Sequence, residues 1–431
     1  MAALPRPNLD LLLLGTGTSS SIPLVGCLTD PIEGCHCCRS TLDVDDKEAQ
    51  KNRRRNTSAV LRIQVPEGER TEGGRTERTV LIDCGKTFLS AAQQHWPAKG
   101  LREIDAVILT HAHADAILGL DDLRGWTLRG AIQASIPIYC TQDTFVEVSR
   151  AFPYLTNAGK ATGGGDIPAL TWHIFKDDEP FDLFGVEVLP LPVHHGKFFT
   201  TPPSPYFCLS FLFGSQILYM SDVSYIPESV WTTLSTRLSL PPYPPTAAAN
   251  GSNGAAKEGA EVEQRGEKPK LQALVIDCLR LEPFTSHFGL GQAVATARRL
   301  GAEKSWLIGF GHRTSHALWT HACTLLSSGA HSTFPSSPSV PIPQGTFFYE
   351  LYSGHPSPLL EDQEVFGQRA LQAVESWALA AAVDESGRGG KEVDEKERET
   401  WEAKVWVRPA VDGMTIHTGA QVWDDEYGRE E

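Results

Sequence analysis

Residues 106–116, Ala-Val-Ile-Leu-Thr-His-Ala-His-Ala-Asp-Ala, constrain this chain more than any other stretch. The apolar, partly β-branched opening reads as a buried strand. It stops at two histidines one residue apart, with an aspartate two positions further on. Alternate side chains of an extended segment leave on the same side, so His111 and His113 are placed to chelate one ion. Asp115 continues that side and is placed to reach a second. Neutral imidazoles and a carboxylate suit zinc, manganese or iron. Taken alone, the same residues would serve as polar groups satisfied by hydrogen bonds at a strand end. The strand before them and the donors downstream argue for metal.

Composition narrows the classes. A chain of 431 residues, 41% hydrophobic, holds one large domain with insertions, or two domains, around a sizeable core. The net charge of −15 counts against a broad nucleic-acid-binding face, though not against a local phosphate pocket. The one basic run, at 51–55, reads as a solvated loop. The apolar stretch at 9–14 is interrupted by Asp10 and followed by Gly15-Thr16-Gly17, which makes it a first strand and turn rather than a signal peptide. No stretch reaches the length of a membrane span. Nine cysteines, an odd number with four clustered, fit metal binding in a reducing compartment better than a disulfide framework. The expectation is a cytoplasmic protein.

Further donors follow the same rule of chemistry at strand ends. Cys35 and Cys38 have the Cys-x-x-Cys spacing of a zinc clip, with Cys27 as a third candidate and Cys37 or a distant residue as the fourth. A strand at 186–191 runs into His194-His195-Gly196. His195, with His194 as the alternative, offers a third ligand for the first ion. A strand at 216–220 delivers Ser221-Asp222, a carboxylate able to bridge two ions. Residues 284–290 open a helix through Arg299, capped by Ser286 or Thr285. A strand at 305–310 ends at Gly311-His312-Arg313-Thr314-Ser315-His316, with His312 the third strand-end histidine. Residues 241–270 have the composition of a disordered insertion. Residues 327–403 read as a loop followed by a charged helical insertion, with helices at 361–382 and 393–403.

Thr110-His111-Ala112-His113-Ala114-Asp115 resembles the metal-binding signature of the metallo-β-lactamase superfamily, whose full form is His-x-His-x-Asp-His. Ala116 stands where the family has its last histidine, a ligand of the second metal. Residues 81–85, Leu-Ile-Asp-Cys-Gly, resemble the family's Asp-x-Gly element, whose aspartate orients the metal-bearing loop. Cys27, Cys35 and Cys38 resemble the cysteine trio that holds a structural zinc in the phosphoribosyl cyclic phosphodiesterase branch. There a histidine from the far end of the domain is the fourth ligand.

The resemblance implies an α/β (α+β) chain folded as a four-layer αββα sandwich, a single domain over 9–425 closed by strands at 405–408 and 414–417. It implies a first metal on His111, His113 and His195, and a second on Asp115 and His312, with Asp222 shared. Both ions would be zinc or manganese. It puts a structural zinc on Cys27, Cys35, Cys38 and His316, and gives His287 a contact to substrate phosphate. Asp115, Asp222 and His287 are then the catalytic candidates. The expected activity is metal-dependent hydrolysis of a small phosphodiester, cyclic substrates included, by an activated hydroxide. The expected partner is that small molecule, with no membrane, no long nucleic acid and a homodimer as the assembly. The alternatives are a hydrolase of the same fold acting on a thioester, lactone or RNA, or a one-metal binding protein without activity, which Ala116 favours.

Overall fold

In the first strand the leucines sort by parity. Leu9, Leu11 and Leu13 enter one apolar cluster, and Leu12 and Leu14 enter another. A strand whose two faces are both buried has a layer on each side. The computed structural model, which describes residues 8–32, 34–65, 74–241, 268–333, 362–386 and 404–428, shows both layers. The expected helix at 393–403 lies outside the described residues, as does most of the 241–270 insertion.

Among the described residues fifteen strands form two sheets. The first has eight, in the order β15-β14-β1-β2-β3-β4-β5-β6. They are β1 Leu9–Gly15, β2 Ser58–Gln64, β3 Glu77–Ile82, β4 Ala106–Ile108, β5 Ile136–Cys140, β6 Leu170–Ile174, β14 Thr415–His417 and β15 Trp423–Asp424. The second has seven, in the order β13-β12-β11-β10-β9-β8-β7. They are β7 Phe181–Leu183, β8 Val186–Phe198, β9 Ser204–Phe213, β10 Ile217–Met220, β11 Ala273–Asp277, β12 Lys304–Ile308 and β13 Val407–Pro409. The inner faces meet in a cluster that includes Leu11, Ile82, Ile108, Phe211, Tyr219, Val275 and Trp306. Helix Phe88–Ala98 covers the outer face of the first sheet. Helices Glu228–Arg237, Leu290–Leu300 and His316–Ser328 cover that of the second. The four layers are the αββα sandwich expected from the sequence.

Helix Gln363–Ser386 departs from expectation. It is no solvated appendage, because Phe366, Ala370, Leu371 and Val374 are buried against the outer helices of the second sheet. Positions four or so apart share a helix face, and here that face is apolar.

Register positions the site. β3 and β4 are parallel with Ile82 opposite Ile108, so Asp83 and the histidine loop leave the sheet at the same edge. In the second sheet β10, β11 and β12 are parallel, with Met220 opposite Ile276 and Asp277 opposite Ile308. Asp222, Asp277 and Gly309 therefore end at one edge. Carboxyl ends of parallel strands are where open α/β sheets place their chemistry. A hydrogen bond from the Leu209 amide to the Thr110 carbonyl, 3.0 Å, joins the sheets beside it. Among the described residues no helix is long and apolar enough to cross a membrane.

Candidate metal centre

Strand β4 is shorter than its apolar run. It ends at Ile108, and helix Ala114–Ile117 begins directly after His113. The loop between is fixed from below by Asp83, which is 1% exposed. The Thr110 amide donates to Asp83 Oδ1 and the Thr110 hydroxyl to Oδ2, both at 2.8 Å. With its proton given to Asp83, the hydroxyl accepts from His111 Nδ1 at 2.8 Å. That leaves the lone pair of His111 on Nε2, a buried atom with no hydrogen-bond partner. A buried acceptor without a partner is costly unless something occupies it. Gly85 completes the support, since a Cβ there would lie 1.7 Å from the Asp115 carbonyl oxygen. Only a residue without a side chain lets the two loops pack this closely.

The extended end of β8 supplies the next donor, and it is His195. Its Nδ1 donates to the Ser286 carbonyl at 2.8 Å, which turns Nε2 inward to lie 3.2 Å from His113 Nδ1. His194 leaves on the other side, against Phe207 and Tyr225. Donor atoms of His111, His113 and His195 all lie within 4.8 Å of one another. Two nitrogens on a tetrahedral zinc sit about 3.3 Å apart, given Zn–N bonds of about 2.0 Å. Burial keeps the two strand-end imidazoles neutral, lowering His111 to about 3 and His113 to about 4. Neutral imidazole is the ligating form. Tyr206 stacks on His113 with ring centroids 4.5 Å apart and interplanar angle 9°.

Asp222 falls between the groups. It shares one donor cluster with His111 and Cys208, and another with His195 and His287. Burial would raise its carboxyl, but the histidines around it, of which His287 is the charged one, outweigh burial and hold it below the ordinary carboxylate range. His287 sits in the loop before helix Leu290–Leu300, whose N-cap is Gly289, so neither Ser286 nor Thr285 caps that helix. Its Nδ1 is 2.8 Å from Oδ2 of Asp277, a fully buried carboxylate at the end of β11, and 3.9 Å from Asp222 Oδ1. Burial works against charge on this ring, yet Asp277 and Asp222 raise it to about 9. Asp277 is also pushed up by burial and pulled back by His287. The short hydrogen bond supports a carboxylate–imidazolium pair. Sequence reading missed Asp277. Its signal was an acid at the end of an apolar run, the placement that Asp83 and Asp222 share. Asp115 is close enough to Asp222 to be raised to about 6 by burial and then by that neighbour, but it joins no donor group of three among the described residues.

Two expected roles are corrected. His312 is not at the histidine centre. Its Nδ1 lies 3.2 Å from Cys27 Sγ, 3.5 Å from Cys35 Sγ and 3.9 Å from Cys38 Sγ. These are separations that a tetrahedral Cys₃His zinc requires, about 3.5 Å for each S–N edge. Cys35 is held well below the usual thiol range by the Cys38 thiol and His312, which suits a ligating thiolate. His316 is not at the cysteines. It opens helix His316–Ser328, its amide donates to Asn52 Oδ1 at 2.6 Å, and its Nε2 lies 3.2 Å from the Tyr427 hydroxyl. The cause is the turn at 311–315. The histidine nearer the strand end reaches back to the cysteine loop, while the one four residues on is carried away by the helix. Beside the cluster, Arg54 is fully buried, donates to the Gly311 carbonyl at 3.1 Å and lies over the Phe310 ring. Cys37 lies next to this guanidinium rather than in the cluster.

The chain is 30% identical over 188 residues to an octanoyltransferase of Porphyromonas gingivalis (strain ATCC BAA-308 / W83), covering 43% of the chain and 31% of that protein. It is 31% identical over 159 residues to the anti-Pycsar protein Apyc1 of Paenibacillus sp. (strain J14), covering 35% of the chain and 58% of that protein. The chain thus spans less than two thirds of either relative. Among solved structures, a diphosphatase from the PhnP family aligns with 25% identity and a TM-score of 0.48, over 72% of this chain and 89% of that one. Residues 78–238, which run from β3 past the Asp222 loop, match the family described as the beta-lactamase superfamily domain. With that match over part of the chain, the four-layer sandwich and the strand-end histidines, the chain has the metallo-β-lactamase fold and is similar to the metal-dependent hydrolases built on it.

Proposed function

We propose that the chain is a metal-dependent phosphodiesterase acting on a small phosphodiester, cyclic substrates included. The observation that carries this is the pairing of a histidine set with a carboxylate-held imidazolium across Asp222. His111, His113 and His195, with Asp222, would hold the ion. A metal bound there supplies a nucleophile at neutral pH and positive charge against the phosphoryl group. The chain's own groups do the rest. Asp83 and Thr110 keep His111 Nε2 aimed inward. The Ser286 carbonyl does the same for His195. Asp277 accepts the hydrogen bond of the His287 Nδ1–H, so Nε2 is the ring atom left to donate to a phosphoryl oxygen or to the leaving group. No serine or cysteine nucleophile is required, and Cys208, the thiol nearest the site, is raised well above its ordinary range by burial.

The cysteine–histidine cluster, which resembles that of the phosphoribosyl cyclic phosphodiesterase branch, supports a phosphodiester over a thioester or lactone. The acidic net charge counts against long RNA. A panel of cyclic nucleotides, cyclic ribose phosphates, bis(p-nitrophenyl) phosphate, thioesters and lactones tests the reading. Turnover should be confined to phosphodiesters and fall at least a thousandfold in Asp222→Ala, as expected when a residue serving both ion and substrate is lost. Thioester or lactone turnover that exceeds phosphodiester turnover refutes it.

A further inference from the structure

A paired centre needs donors on both sides of its shared carboxylate, about three protein ligands for each ion. On one side of Asp222 they are present, as His111, His113 and His195. On the other side the positions that would complete a second set offer none. Ala116 is 1% exposed and packs in the apolar cluster with Cys84, Leu109 and Ile117, so this position faces the core. The residue directly after β12, where a strand-end donor would stand, is Gly309. A Cβ there would lie 2.3 Å from Asp277 Oδ1, and the backbone φ of 78° favours glycine. His312, three residues on, is spent on the cysteines. His287 has its Nδ1 tied to Asp277, and the donor group it joins adds only His195 and Asp222, which the first ion already takes. Among the described residues, Asp115 and the Asp277-held His287 are then the groups left on that side of the shared carboxylate.

We propose that the active centre takes one ion, on His111, His113, His195 and Asp222, and that His287, positioned by Asp277, stands where a paired centre carries its second. The inference rests on the phosphodiesterase reading and deepens it: a fixed N–H donor takes over the contact to the phosphoryl group that a second cation would make. His287 is then a substrate-contacting group and Asp277 a positioning residue.

Metal content of the full chain, purified without added metal or chelator, tests this. Two ions per chain are expected, one at each cluster. The count should fall to one in His113→Ala and to one in Cys35→Ser, and stay at two in Asp115→Asn and in His287→Gln. A second measurement needs no variant. Manganese exchanged into the nitrogen and oxygen site should give the paramagnetic resonance spectrum of an isolated ion, while the thiolate cluster keeps zinc. Three ions per chain, loss of an ion in Asp115→Asn or His287→Gln, or an exchange-coupled manganese spectrum would overturn the single-ion centre while leaving the hydrolase reading intact. Absence of any ion that depends on His113 would instead overturn both.

Discussion

Asp83 binds nothing in the centre, yet it decides the direction of a ligand. Its two oxygens hold Thr110, and Thr110 sets the tautomer of His111. Outer partners of this kind are worth about 10–100-fold in metal affinity. Asp83→Ala should weaken the histidine site by that factor in a chelator competition while leaving the cysteine site unchanged; equal affinity in the variant would contradict the role. Asp277 and His287 make a prediction of another kind. Because His287 is raised from 6.5 to about 9, the pair contributes stability that is fully present below about pH 6.5 and is lost as pH rises through about 9. In chelator-treated protein the melting temperature should fall across that window. The fall should shrink markedly in Asp277→Asn, Asp222 being the smaller contributor that remains, and a fall of the same size there would contradict the pairing. At this scale the sequence was only partly legible. His111, His113 and His195 were readable because each closes an apolar run. The exchange of His312 and His316 was not, because the two are four residues apart on a turn whose direction depends on a cysteine loop nearly three hundred residues away in sequence. Asp277 went unread because its partner lies across a loop.

Elements show why patterning outperforms composition. Buried strands were legible throughout, since two-sided burial writes a continuous apolar run. The helix Gln363–Ser386 was legible as a helix but not as a packed one. Its apolar positions, Phe366, Ala370, Leu371 and Val374, lie among charged residues, and the helices that they cover come from elsewhere in the chain. Phe366 is 1% exposed and packs edge-on against Trp319, with ring centroids 5.3 Å apart. Phe366→Ala should cost about 3–5 kcal/mol in denaturant unfolding. Val365→Ala, on the exposed side, should stay within about 0.5 kcal/mol. Equal effects of the two would place this helix in solvent.

Across the whole molecule, both halves of the chain converge on the same edge. The first sheet brings the histidine loop, the second brings His195, Asp222 and Asp277, and the cysteine cluster ties residues 27–38 to His312 just past β12. Arg54 lies buried behind that tie, near the sulfurs of Cys37 and Cys38 and the carboxylate of Asp412. A zinc held by Cys27, Cys35, Cys38 and His312 would leave a net negative charge on the cluster if the three cysteines bound as thiolates, and the buried guanidinium would offset it. The resemblance to the superfamily was legible from the histidine run, but the grouping of the candidate ligands into two separate clusters required the topology. The most direct test is a metal titration of activity. Protein stripped at the histidine site by chelator, with the cysteine-bound zinc retained, should hydrolyse no phosphodiester and should regain full turnover at one added equivalent of zinc or manganese per chain. His113→Ala should not recover at any equivalent. Turnover by the stripped protein, or full recovery in His113→Ala, would contradict a metal-dependent centre at these histidines.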